Sequence, residues 1–149
     1  MRCAAIPAGD GGVVVRYEIR NVGSETIYIL DGRRMPYVFA RDPNTLVIFQ
    51  GVNTPRLGSI YEFPRIALTR PLVPAATITG EVVLPPKQLH DHYYIHPTPP
   101  NLQHGTIQVR CEVGWGTTSI TNLDQVSMRE LLVEWQKVVG YGPFEVVLP

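Results

Sequence analysis

All four histidines of this chain fall between residues 90 and 104, at His90, His92, His96 and His104. In an extended segment His90 and His92 project to the same side. His96 or Asp91 completes a three-ligand set if the segment folds back, leaving one coordination position for water. Such a centre, holding zinc or another divalent transition metal, is suited to hydrolysis or oxygen chemistry. The same stretch carries Pro85, Pro86, Pro97, Pro99 and Pro100. It has few acidic groups to orient imidazoles, and proline-rich loops also carry histidines that are simply solvated. A metal-dependent enzyme is therefore the alternative reading, and the main expectation is a chain without a cofactor.

Aromatic rings form the second constellation. Tyr93, Tyr94, Trp115, Tyr141 and Phe144 have the apolar bodies that line grooves for peptides, sugars or partner surfaces, and the tyrosines and the tryptophan add polar tips. Trp115 and Phe144 equally suit plugs at the ends of a β-sandwich. The binding residues assigned from the sequence are Tyr93, Tyr94, His96 and Trp115. Arg33 and Arg34, with Arg41 and Arg56, offer a small cationic patch, although a solvated turn explains them as simply. Ser119 and Ser127 lack the glycine-flanked elbow of a hydrolase nucleophile, and no phosphate-cradling glycine loop follows a strand. No catalytic residue is assigned.

The framework for these groups is read from period-two patterning. Val13, Val15, Tyr17 and Ile19 alternate with Arg16, Glu18 and Arg20, a strand with one buried face. Asn21, Gly23 and Ser24 then suggest a hairpin into Thr26–Leu30. Tyr37–Ala40 and Leu46–Phe49 bracket Asp42-Pro43-Asn44, a second hairpin, and the continuous apolar run at 46–49 suggests a strand covered on both sides. Residues 51–64 read as a surface connection with Tyr61 and Phe63 folded onto the core. Residues 65–69 form a short strand closed by Pro71 and Pro74. Thr77–Leu84 and Thr106–Val113 alternate again. Between them, residues 85–105 form a long loop, the kind that is often functional in a compact domain. Near the C-terminus, Leu131, Leu132, Trp135, Val138 and Val139 suit a helical stripe, with Ser127 and Glu130 spaced as a capping box. Leu131, Val133, Trp135 and Val139 also share strand parity, and Gly140-Tyr141-Gly142-Pro143 can turn the chain into a closing hairpin. Both readings of residues 128–139 stay open.

The composition permits a core and limits the partners. Of 149 residues, 44% are hydrophobic and 17% charged, enough apolar material for one domain. Thirteen basic and thirteen acidic residues cancel, which lacks the footprint of a nucleic-acid or polybasic membrane-surface binder. No apolar run approaches the ~18 residues needed to span a bilayer. Cys111 falls at the buried parity of its strand and reads as a small core residue, while Cys3, near a loose terminus, reads as a free thiol. The expected organisation is a flexible lead-in over 1–12 and a single β-sandwich domain over 13–149, located in the cytoplasm.

The order of strand, Asn-Val-Gly-Ser turn and strand, followed by the run Leu-Val-Pro-Ala-Ala-Thr-Ile-Thr-Gly-Glu-Val-Val-Leu-Pro-Pro, resembles small bacterial immunoglobulin-like modules of the intracellular proteinase-inhibitor type. The resemblance covers roughly residues 13–113. It implies an all-β, two-sheet antiparallel sandwich of seven to eight strands, here with room for one C-terminal helix. It also implies binding rather than catalysis. The resulting expectation is a non-catalytic protein-binding or adaptor module that uses a strand edge or the 85–105 loop, with self-association through an edge strand as a related outcome. A proteinase inhibitor presenting a proline-flanked loop is a further alternative.

Overall fold

A computed structural model describes residues 1–31, 35–42, 44–52, 68–84, 105–121 and 129–148. These contain nine strands: β1 (Arg2–Pro7), β2 (Val13–Arg20), β3 (Ile27–Leu30), β4 (Tyr37–Asp42), β5 (Thr45–Gln50), β6 (Thr69–Leu72), β7 (Thr77–Leu84), β8 (Gly105–Gly116) and β9 (Lys137–Leu148). They make two sheets, so the all-β expectation holds, and one sheet is curled into a half-barrel. The smaller sheet has the order β1-β2-β7. The larger runs β4-β5-β8-β3-β6, with β9 also paired to β8. Among the described residues no helix is long and apolar enough to cross a membrane.

The alternating strands bury the faces their patterns indicate. Val13 and Val15 of β2 and Leu84 of β7 meet Leu46 and Ile48 of β5, Ile107, Val109 and Cys111 of β8, and Val146 of β9. Ile19, Ile29, Leu72 and Val113 continue this interior toward one end. Each fully buried aliphatic side chain contributes ~1.5–3 kcal/mol. Leu46, Val47, Ile48 and Phe49 are all buried, so the apolar run of β5 is covered on both faces. A third cluster of Leu30, Val52, Ile120 and Leu131 is flanked by Leu132 and Trp135.

Several pairings differ from the sequence expectation. β2 and β3 are not a hairpin: β2 pairs with β1 and β7, whereas β3 pairs with β6 and β8 in the other sheet. The residue responsible is Asn21, which is 3% exposed. Its Nδ2 donates to the carbonyls of Glu25 and Leu72 at 2.7 and 2.8 Å, and its Oδ1 accepts from the Gly23 N–H at 2.9 Å. Its backbone N–H donates to Ala76 and its carbonyl accepts from Ala75. Asn21 therefore ties the β2–β3 crossing to the β6–β7 crossing. Nor is the larger sheet wholly antiparallel, because β5 runs parallel to β8 from Thr45–Gln108 to Gln50–Val113. Pro71, expected to end a strand, lies within β6, where the edge position makes its missing donor harmless.

The N-terminal segment is also ordered. Arg2–Pro7 forms β1, with Cys3 opposite Tyr17 and Ala5 opposite Val15, rather than part of a flexible lead-in. Cys3 is no free thiol: it is bonded to Cys111 across the two sheets, with a Cα–Cα distance of 6.4 Å. Closing so long a loop restricts the unfolded chain by up to ~4–5 kcal/mol in the chain-entropy picture.

Helix and strand divide the C-terminal segment. Residues 130–135 make one wide helical turn, closed by the Gln136 N–H to Leu131 carbonyl bond at 2.8 Å. β9 follows at once. Gly140-Tyr141-Gly142-Pro143 does not reverse the chain but lies within β9, where the pairing to β8 shifts between Val109 and Cys111. Gly142, at φ +94°, supplies the left-handed backbone there.

Candidate functional site

Of the binding residues assigned from the sequence, Trp115 falls among the described residues. Tyr93, Tyr94 and His96 lie outside them, as do His90, His92 and His104, residues 85–104 of the proposed loop, Tyr61, Phe63, Arg33, Arg34, Arg56 and Ser127.

Trp115 stands near the end of β8, paired with Ile29 on one side and Lys137 on the other. The flanking glycines make room for bulky neighbours. The Gln136 amide lies against Gly114, and the Trp135 indole lies on Gly116 while donating its Nε1–H to the Thr118 carbonyl at 2.8 Å. The Lys137 ammonium sits 5.0 Å from the centre of the Trp115 ring, within cation–π range. The half-buried ring packs against the cluster of Ile19, Ile29, Leu72 and Val113 and also lines a cleft of about 570 Å³. Val139, Ile27 and Lys137 form part of its walls, and Ser24, Thr26 and Thr117 add hydroxyl-bearing residues. Trp115 is thus at once an end plug and a cleft wall.

β9 borders this cleft and carries the second feature of the site. Among the described residues it pairs only with β8. Its residues Val138, Val139, Tyr141 and Val147 are exposed, and Lys137 and Glu145 are its only charged residues. Edge strands are ordinarily blunted by charge, proline or a bulge. Here the Gly142–Pro143 irregularity does so at one point, leaving Lys137–Tyr141 as a regular stretch beside the cleft. Tyr141 and Phe144 meet in a tilted contact with centroids 6.0 Å apart.

A charged cluster lies beside β9. Arg41 of β4 donates from Nη2 to both carboxylate oxygens of Glu112, at 3.0 and 3.1 Å. Arg110 Nε donates to the same carboxylate, and Arg110 Nη1 donates to the Gly142 carbonyl at 2.6 Å. The Glu112 side chain is only 10% exposed, so two guanidiniums neutralise a carboxylate removed from water. Arg41, read from the sequence as part of a cationic patch or solvated turn, is a partner in this network. The network links β4, β8 and the bulge of β9 and so fixes the strand edge. Sequence reading missed it because Arg41 and Glu112 are far apart in the chain, and a lone Glu in an alternating strand gives no local sign of pairing.

Among the described residues no group of three His, Cys, Asp or Glu is placed to hold a metal ion. Comparison with protein-family models, with curated proteins and with solved structures finds no match.

Proposed function

We propose that this chain is a non-catalytic protein-binding module of immunoglobulin-like type, which takes an extended segment of a protein partner against β9. The observation that carries the reading is the strand Lys137–Leu148, paired along one side among the described residues and rich in exposed apolar side chains. A segment added beside Lys137–Tyr141 gains main-chain hydrogen bonds, and every second side chain turns toward the Trp115 cleft. Apolar residues at those positions suit walls of Val139, Ile27 and Trp115. The inter-sheet bridge between Cys3 and Cys111 supports the immunoglobulin-like part of the reading.

A random-peptide phage library panned against the folded protein tests this. Peptides recovered by the wild type are expected to slow hydrogen exchange at the β9 amides and to lose binding when Val139→Lys puts a charge at the cleft wall. Failure to enrich any peptide, or protection confined to other strands, overturns the reading.

A further inference from the structure

We propose that β1 is a releasable strand, and that reduction of the Cys3–Cys111 bond frees it while the rest of the domain stays folded. None of its side chains is buried: Cys3 and Ala5 are half-buried, and Arg2, Ala4, Ile6 and Pro7 are exposed. The buried members of the cluster it covers come from β2, β5, β7, β8 and β9. β1 is also an edge, hydrogen-bonded only to β2 among the described strands. Its attachment therefore rests on one ladder, one covalent bond and the partial packing of Met1, Cys3 and Ala5 on that cluster, whereas β2 keeps the full register to β7 from Val13–Leu84 to Arg20–Thr77 without it.

The two cysteines differ in burial. Cys111 is 0% exposed, whereas Cys3 is half-buried on the edge strand β1. One thiol of a dithiol reductant, as its thiolate, attacks Cys3 Sγ on this edge strand and forms a mixed disulfide, and Cys111 leaves as a thiolate that takes up a proton. The second thiol of the reductant then attacks its own sulfur in the mixed disulfide and releases Cys3. Two electrons and two protons pass to the protein, and the reductant ends as a cyclic disulfide. The compact turn over Ala8–Gly12 is the hinge, held by Ala8 N–H to the Gly12 carbonyl, Gly11 N–H to the Ala8 carbonyl and Gly12 N–H to Asp10 Oδ1. Departure of β1 uncovers the backbone edge of β2 from Val13 to Glu18, creating a second strand-accepting edge under redox control.

Hydrogen exchange read by mass spectrometry tests the release on the full chain, oxidised and after treatment with excess dithiothreitol, with alkylation to confirm both thiols. The expected result is exchange at least about tenfold faster in the peptide covering residues 1–8, with peptides from β8 and β9 unchanged within about twofold. The Cys3→Ser variant, which cannot form the bond, is expected to match the reduced protein without reductant. Unchanged protection of β1 in the reduced protein overturns the proposal. So does loss of protection across all strands together, or resistance of the native bond to the dithiol. No partner enters the measurement, so its failure is distinguishable from failure of the β9 docking test.

Discussion

Asn21, at the end of a strand in the smaller sheet, donates its side-chain amide to the carbonyl of Leu72, at the end of a strand in the larger, across 2.8 Å. The same side chain serves Glu25 and Gly23, so one residue satisfies three backbone groups at the crossing between sheets. Asn21→Ala removes all three bonds at a site that is 3% exposed. The expected cost is about 2–4 kcal/mol in urea unfolding. Asn21→Asp is expected to be at least as damaging, because a carboxylate would face two carbonyl oxygens in place of a donor. A loss below about 0.5 kcal/mol for either variant would show that the crossing is held by other means.

Gln136 performs a similar task for Val52. Its Nε2 donates to the Val52 carbonyl at 2.8 Å and its Oε1 accepts from the Val52 N–H at 2.7 Å, so the amide acts as a short length of neighbouring strand. Gln136→Leu keeps most of the volume but leaves both backbone groups without these partners, at an expected cost of about 2–3 kcal/mol. Gln136→Glu keeps an acceptor and, while protonated, an O–H donor, and is expected to lose stability as the carboxyl ionises and that donor is lost. Chemical unfolding of the two variants at pH 4 and pH 7 checks the ordering.

The phenol of Tyr17 is pushed above its ordinary value, first by burial and then by the Asp31 carboxylate. Between the ordinary value near 10 and the raised folded value, the unfolded chain has lost this proton while the folded chain keeps it. Stability therefore falls as pH rises through that window and is undiminished by this group below it. Wild type is expected to lose unfolding free energy more steeply above about pH 10 than Tyr17→Phe, which has no proton to release. Parallel curves for the two proteins would remove Tyr17 as the cause.

The sequence disclosed strands more readily than their partners. Alternation marked β2, β7 and the buried face of β8, and the run Leu46–Phe49 correctly indicated cover on both faces, because side-chain period and burial are local properties. Pairing depends on distant residues. Asn21 has the composition of a hairpin turn, yet its use depends on Leu72 and Ala76, which no local window contains. β1 was missed because Arg-Cys-Ala-Ala-Ile-Pro has weak alternation and its order depends on β2 and on Cys111. At the candidate site, the glycines beside Trp115 make room for Gln136 and Trp135, a use that no local window around Trp115 discloses. The edge of β9 was hidden by Gly140-Tyr141-Gly142-Pro143, whose turn-like composition serves an irregularity within a strand.

The parallel match of β5 to β8 bears on how quickly the protein assembles. Thr45 meets Gln108 and Gln50 meets Val113, so the centre of the larger sheet forms only after widely separated stretches of backbone have found one another. The entropy lost in that search precedes most of the favourable contacts, which places the protein toward the slow end of the range for single domains. Until β8 has docked, the apolar strand β5 is the surface most in need of protection from other chains.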